Sequence, residues 1–494
     1  MARRSAKQLR QPGVAGKWAE FKMQLTSHDF IARAQKGLVD EGLQDALARF
    51  RTGFSVKRSE AAARLPEFEA LRDKAVEIKN HTLEHLDFYL ERFADKVEEG
   101  GGVVHWCVTA EDARQTVLDI CRANDAKTVT KSKSMIGEEI ALNPFLESND
   151  IEPIETDLGE YIVQLAGEYP SHIIAPAVHK TKDQVADLFY ERHRDQGGGK
   201  RLEEVDELVD EARAMLRHRF IDADVGITGA NFLVAETGTT AIVTNEGNGD
   251  LTQILPRVHI VLATLEKVVP TLDDMSTILR VLARSATGQE FSTYTTLSTG
   301  PKRSGDLDGP EAFHVILLDN GRSRMLGSEF REVLRCIKCG ACMNDCPVYG
   351  SIGGHAYGWV YPGPVGAVLT PNLVGLKDAH HLPNASTFCG RCEEVCPMRI
   401  PLPGLMRRWR EQEFDAGLQA QRYRLGLALW AWLVRHPTSY RISSALLVRA
   451  LRLLGARRGR IARLPFARGW TAGRDMPAPE GGSFHAKWHR RGRA

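Results

Sequence analysis

Seven cysteines between residues 336 and 396 carry the chemistry most open to reading in this chain. The first run is Cys336-x-x-Cys339-x-x-Cys342-x-x-x-Cys346-Pro347, and the second is Cys389-x-x-Cys392-x-x-x-Cys396-Pro397. The whole chain has nine cysteines, so chance placement does not explain the grouping. Three thiolates at C-x-x-C-x-x-C spacing reach three irons of one cubane, and a fourth, followed by Pro, crosses to a second cluster. The Pro stops the loop from continuing as a helix. Paired C-x-x-C units also build tetrahedral zinc sites, which makes zinc the main rival. A zinc ribbon, however, has no need of the closely following third and fourth cysteines or of the trailing Pro.

The elements that position these thiols belong to a chain of 494 residues, long enough for two or three domains. Hydrophobic residues make up 43 % and charged residues 26 %, ordinary values for a globular protein. Only Cys107 and Cys121 fall outside the two runs, and both read as small buried apolar side chains. Thiols concentrated in one metal-type motif point to a reducing compartment, so the expected location is cytoplasmic. The basic start, Met1 to Lys7, is followed by no apolar segment, and Arg3-Arg4 alone does not make a twin-arginine signal. No stretch reaches the roughly 18 apolar residues of a spanning helix. The net charge of +2 hides an asymmetry: residues 401–494 hold 19 Lys/Arg against 5 Asp/Glu. These arginines are spread along helices with no nucleic-acid motif, which favours a docking surface over nucleic acid.

Along the chain, residues 1–99 read as a helical region. Leu65, Phe68, Leu71, Ala75, Ile78, Leu83, Leu86 and Leu90 are its candidate core positions, and Pro66 stands near a helix start. His81 and His85 are four apart, but no Glu or Cys completes a site. From Gly100 the pattern becomes β-α-β: a strand at Gly102–Val108, a helix at Ala110–Ala123, and a strand at Ala126–Thr130. Lys131-Ser-Lys-Ser134 follows that strand directly. It is either a small anion site at the end of a parallel strand or a plain helix N-cap at Ser134. A helix is expected over Met135–Phe145 and a strand at Ile154–Thr156. Residues 195–200 read as a flexible glycine loop without phosphate-loop spacing. A helix at Leu202–Ile221, strands within Gly226–Gly249 and at Val258–Ala263, a helix at Ser276–Ala286 and a final strand at Glu311–Asp319 complete the sheet region. A helix over Ser328–Leu334 then leads into the first cysteine run. The Gly226–Gly249 segment does not match GxGxxG, so a nucleotide site of that kind is unsupported.

The Gly226–Gly249 segment, Lys131-Ser-Lys-Ser134 and the cysteine block together resemble the lactate utilisation protein B family, from about residue 60 to the end. Met476-Pro-Ala-Pro-Glu-Gly-Gly-Ser-Phe-His485 is similar to that family's tail. The resemblance implies an α/β LUD domain, like the folds of CoA transferases and ribose-phosphate isomerases, then an α-helical dicluster ferredoxin domain and a helical tail. The expected boundaries are 1–99 helical, 100–327 LUD, 328–404 dicluster and 405–494 basic tail. In this light Glu236 stands where related enzymes keep a reactive carboxylate, although a capping or hydrogen-bonding role suits it better.

In a two-cluster module with these spacings, Cys336, Cys339, Cys342 and Cys396 serve one 4Fe-4S cluster. Cys346, Cys389 and Cys392 serve a second, 4Fe-4S or 3Fe-4S, that is one ligand short. Ser386 stands where a full second run would begin with Cys. Forty-two residues separate Cys346 from Cys389, too many for a compact bacterial ferredoxin. That insert, with Pro362, Pro364, Gly366 and a helical stretch, is similar to the helical ferredoxin domains of succinate dehydrogenase iron–sulfur subunits. His355, His380 and His381 lie within it and read as loop histidines. Downstream, the apolar run Leu425–Val434 and the amphipathic Ile442–Leu454 suggest a helical hairpin packed on the cluster domain, or helices lying on a membrane surface. The Arg/Trp-rich end is expected to order only on a partner.

By resemblance the chain is an iron–sulfur electron-transfer component of a three-protein complex oxidising L-lactate to pyruvate. It would work with other lactate-utilisation proteins and an electron acceptor, and would not be a stand-alone catalyst. Two alternatives remain: a self-contained LUD enzyme acting on an organic acid or a CoA- or nucleotide-type substrate, and a zinc-stabilised scaffold. No catalytic residue is assigned.

Overall fold

The computed structural model describes residues 25–194, 200–465, 467 and 469–491. The basic start and most of the glycine loop at 195–200 lie outside them. The chain divides into two compact units, 1–411 and 412–494.

Among the described residues the first unit is built on ten strands: β1 (Val103–Cys107), β2 (Thr128–Ser132), β3 (Glu152–Glu155), β4 (Val225–Gly229), β5 (Phe232–Val234), β6 (Thr239–Thr244), β7 (Val258–Thr264), β8 (Val268–Val269), β9 (Tyr294–Ser298) and β10 (Ala312–Leu318). Six of them form an all-parallel sheet in the order β1-β10-β7-β4-β2-β3. Its central strands read as continuous apolar runs because both faces are covered, and all seven residues of β7 are buried. The remaining four make a second sheet, β8-β5-β6-β9, which supplies the Gly226–Gly249 strands expected from sequence.

From β2 the chain steps outward to β3, then returns to the other side of β2 as β4 and proceeds to β7. The strand order therefore reverses between β2 and β4, and open α/β sheets leave a crevice at the carboxyl ends of the strands at such a point. Gly229 closes β4 there. A Cβ on it would stand 2.6 Å from the Lys133 carbonyl oxygen, so only glycine lets the two strand ends approach so closely.

Several expected boundaries move. β2 starts and ends two residues later than expected, so Lys131 and Ser132 are strand residues and not a loop after it. The helix expected over Met135–Phe145 is two short helices, Met135–Glu139 and Leu142–Glu147, broken at Ala141 with φ 52°. Pro144 is the cause: it has no N–H for the Ile140 carbonyl, and its ring clashes with that carbonyl in a continuous helix. The helix ahead of the first cysteine run is a 3-10 turn at Arg331–Arg335. The helix at Ala110–Ala123 stands as expected, with Thr109 and Asp112 forming a capping box.

The N-terminal helices (Phe30–Val39, Glu41–Ala63, Phe68–Glu84, Leu86–Glu99) bury Phe68, Ala75, Ile78, Leu83, Leu86 and Leu90, with Leu65 and Leu71 packed at the edge of the core. Most of these share one hydrophobic core with the cysteine-bearing segment, including Met343, Tyr349, Tyr357 and Leu405. Arginines then tie the helices to the second cysteine run. Arg58 donates to the Val395 carbonyl at 2.8 Å, and Arg72 to the Glu394 and Cys396 carbonyls at 2.8 and 2.7 Å.

The second unit holds the helices Gln421–Arg435 and Pro437–Gly455, which pack on each other as a hairpin. The first of them buries no residue: Leu425, Leu429, Trp430 and Trp432 are more than half exposed. The end expected to order only on a partner carries the helix Phe484–Arg491, which buries no residue. The Ser483 hydroxyl accepts from Ala486 N, and Phe484 stacks on Trp488 one turn along. Among the described residues no helix is long and apolar enough to cross a membrane.

Candidate functional site

The two cysteine runs fold as internal copies. In the first, Lys338 takes a positive φ of 58° and Gly340 one of 75°, and a one-turn helix follows at Ala341–Asn344. In the second, Phe388 has φ 54° and Gly390 81°, and the one-turn helix is Arg391–Glu394. These left-handed steps turn the loop so that backbone N–H groups face the side chain two residues back. Lys338 N donates to Cys336 Sγ at 3.4 Å, and Phe388 N donates to Ser386 Oγ at 3.1 Å. Ser386 thus holds in the second run the position that Cys336 holds in the first.

Folding sorts the seven thiols into two small cavities. One is bordered by Cys336, Cys339, Cys342 and Cys396, with Ile173, Lys338 and Val365 among its walls. The other is bordered by Cys346, Cys389 and Cys392, together with Ser386 and Pro403. Each cavity therefore takes its last thiol from the opposite run. Cys389 is exposed, so the second cavity reaches the surface, while the first is lined by three buried cysteines and the half-buried Cys336.

The donor sets fit iron–sulfur clusters better than single ions. Around one tetrahedral zinc, sulfurs at Zn–S of about 2.3 Å lie roughly 3.8 Å apart. Among the described residues, the one group of three or more His, Cys, Asp or Glu ligand atoms within 4.8 Å of one another is Glu168, His179 and His355, with no cysteine. The thiols stand too far apart for one ion and border space for a larger group. Burial pushes the Cys339, Cys342, Cys346, Cys392 and Cys396 thiols up, Cys392 to about 12, so a buried thiolate cage needs metal cations at its centre. Ile400 N donates to Cys396 Sγ at 3.5 Å, a bond of the kind that tunes cluster potentials.

The other sequence candidates scatter. His355, His380 and His381 border neither thiol cavity, and His355 Nε2 bonds the Tyr169 carbonyl at 2.7 Å. His81 bonds Tyr89 and lies edge-on to His85. Glu236 is exposed, and its carboxylate accepts from Leu272 N at the start of the helix Leu272–Ala286. Cys107 and Cys121 are buried in the sheet and its first covering helix, and burial pushes the Cys121 thiol to about 12.

The Lys131–Ser134 element splits. Lys131 is consumed inside the fold by Glu155 at 2.6 Å and Glu138 at 2.9 Å; burial alone would lower its pKa, but these carboxylates hold it above its usual value. Ser134 caps the next helix by accepting from Gly137 N. Lys133 and Ser134 nonetheless border a cavity at the ends of β2, β3, β4 and β7, which Lys267, Lys338 and Tyr361 close from the other side.

Beside that cavity, Arg322 grips Glu139 through two bonds of 2.9 and 2.6 Å, and Glu139 accepts from the Tyr361 hydroxyl at 2.6 Å. This buried network joins the helix after β2 to the cysteine-bearing segment. Nothing in the local sequence marks Glu139, Arg322, Arg58 or Arg72 as partners of the cysteine loops.

The comparisons with known proteins follow the same division. Residues 90–318 match a family model described as the LUD domain, 332–400 one described as a 4Fe-4S dicluster domain, and 417–493 one described as lactate utilisation protein B, C-terminal. "Lactate utilization protein B" of Bacillus licheniformis is 42% identical over 465 residues, covering 94% of this chain and 96% of its own. The chain belongs to the lactate utilisation protein B family. The Bacillus subtilis protein of the same description is 45% identical over 390 residues, covering 79% of this chain and 81% of its own. An Escherichia coli relative, "Uncharacterized electron transport protein YkgF", is 40% identical over 468 residues, covering 94% and 97%. In this family member the architecture is a LUD domain with a parallel α/β sheet, a 4Fe-4S dicluster domain and a helical C-terminal region.

Proposed function

We propose that this chain is the iron–sulfur electron-transfer component of a multiprotein system that oxidises L-lactate to pyruvate. The observation that carries the reading is the sorting of seven thiols into two adjoining cages within one core. When bound, clusters of this kind supply one-electron transfer. Cys336, Cys339, Cys342 and Cys396 would hold one cluster. Cys346, Cys389 and Cys392 would hold the other, with Ser386 at its fourth corner. The chain's residues do the positioning: left-handed turns at Lys338, Gly340, Phe388 and Gly390 shape the loops, while Arg58 and Arg72 clamp the second run. The exposure at Cys389 makes that cage the side from which a partner or acceptor is reached. Oxidation of L-lactate to pyruvate releases two electrons and two protons, and two one-electron sites match that count; the oxidation itself we assign to a partner. The names of the relatives support the lactate assignment.

Metal and acid-labile sulfide analysis of anaerobically purified chain, with its visible spectrum, tests the reading. A brown protein with iron and sulfide is expected. A colourless, zinc-containing protein without sulfide would refute it.

A further inference from the structure

Between the helices Leu158–Ala166 and Lys182–His193 the chain leaves the sheet and lies against the cysteine-bearing segment. The Tyr349 hydroxyl donates to the Ser171 carbonyl at 2.8 Å, and His172 bonds Asn344 at 3.0 Å. Ile173, near the middle of this stretch, borders the first thiol cage. Glu168 and His179 stand at its two ends, and His355, from the insert between the cysteine runs, meets them there. One possible ligand atom of each lies within 4.8 Å of the other two.

In each of the three a second polar atom is fixed from outside. Glu168 Oε1 accepts from the Lys180 ammonium. His355 Nε2 donates to the Tyr169 carbonyl at 2.7 Å, which puts the lone pair of the ring on Nδ1. The Ser171 hydroxyl donates to the Pro176 carbonyl at 3.0 Å, so it accepts from His179 Nδ1–H at 2.7 Å. The lone pair of His179 is then on Nε2, which faces Glu168 Oε2 at 2.7 Å. Two acceptors at that distance repel unless a proton or a metal cation stands between them. A second proton on His179 is disfavoured. Its side chain is only 10% exposed, burial pushes its pKa down to about 4, and the His355 ring lies 4.4 Å away. Glu168, moreover, already has a counter-cation in Lys180. Outer hydrogen bonds of this kind hold metal-binding imidazoles in one tautomer and one orientation.

Two imidazoles and a carboxylate suit Zn2+, whose donors at about 2.0–2.1 Å lie roughly 3.3 Å from one another. The three ligand atoms are already inside that order of separation. Glu168 Oε2 has to withdraw from His179 by only about 0.6 Å to reach it, and the Glu168 side chain is partly exposed. We propose that Glu168, His179 and His355 bind one divalent transition-metal ion of the Zn2+ type, with water in the fourth position. The ion closes the base of the 168–179 stretch and fastens it to the insert, and so pins the residues that wall the first thiol cage. No cysteine takes part, so the site is separate from both cages.

The test uses the full chain, purified anaerobically with its iron and dialysed against micromolar free Zn2+. Zinc, iron and sulfide are assayed on the same samples. One zinc per chain at unchanged iron is expected, with X-ray absorption at the zinc edge showing nitrogen and oxygen at about 2.0–2.1 Å and no sulfur at about 2.3 Å. H355Q and E168Q should each weaken zinc binding more than a hundredfold, because loss of an outer partner alone costs ten- to a hundredfold. H81Q, in the exposed His81–His85 pair, should bind zinc as the parent chain does. Zinc should raise the thermal midpoint of the parent chain and not that of H355Q. The proposal is overturned by any of four results: no zinc retained, zinc gained only as iron is lost, sulfur in the zinc shell, or unchanged binding in both H355Q and E168Q. A chain that holds this zinc but neither iron nor sulfide sinks the electron-transfer reading and leaves the site standing.

Discussion

Replacing Ser386 with Cys tests the ligand set of the second cluster most directly. Ser386 Oγ and Cys336 Sγ occupy equivalent places, each accepting from the backbone N–H two residues on, at 3.1 and 3.4 Å. A sulfur at residue 386 needs no backbone change, because the Phe388 and Gly390 dihedrals already match those of Lys338 and Gly340. The variant should therefore complete a four-thiolate site. Exchange of two thiolates for imidazoles raises a two-iron centre from about −400 mV to about −150 mV or higher, so one thiolate is worth on the order of 100 mV. Ser386→Cys should lower the potential of the second cluster by about that much, roughly fiftyfold in a one-electron equilibrium. The signals of the first cluster should not move. Potentiometric titration followed by EPR reads both clusters in one experiment, and Ser386→Ala serves as the variant with no donor. Should Ser386→Cys and Ser386→Ala both leave iron content, spectrum and potential unchanged, Ser386 does not face the cluster, and the equivalence of the two runs does not extend to the metal.

Three further outcomes follow from buried polar groups. Glu139→Gln removes the nearer of the two carboxylates on Arg322 and leaves Glu266, so it should cost about 1.5–3 kcal/mol, the worth of a hydrogen bond to a charged group, read as a lowered denaturation midpoint. Arg72→Met removes the clamp on the Glu394 and Cys396 carbonyls and should speed loss of iron to a chelator, while a variant at the exposed Arg213 should not. His259, on β7, is buried and its pKa is held down to about 3, so it stays neutral in the fold but takes up a proton on unfolding below pH 6.5. Its contribution is complete above pH 6.5 and is lost as pH falls toward 3, by roughly 1.4 kcal/mol per pH unit. His259→Gln should flatten that part of the stability profile, and an unchanged slope would count against the buried neutral state.

What could be read from the sequence was what is local. The cysteine spacing specifies loops of a few residues, so the two runs and the odd serine were visible without a structure. The helix at Ala110–Ala123 was equally visible, because its capping box lies within four residues. What escaped depends on contacts distant in sequence. Lys131 reads as a surface cation beside serines until β3 brings Glu155 to 2.6 Å and closes the question. Lys267 has no motif around it at all. It matters because the return of the chain from β3 to β4 opens a crevice at the strand ends, and because Lys338, a spacer residue between two cysteines, arrives at the same crevice from the other domain. The same lysine thus borders the cysteine cage and the strand-end cavity. A LUD sheet folded without this cysteine loop would present the Lys133–Asp157 pair and the apolar wall but lack Lys338. The fusion of the two domains in one chain therefore has a physical consequence at this cavity: its wall is complete only when the cysteine loop is folded against the sheet.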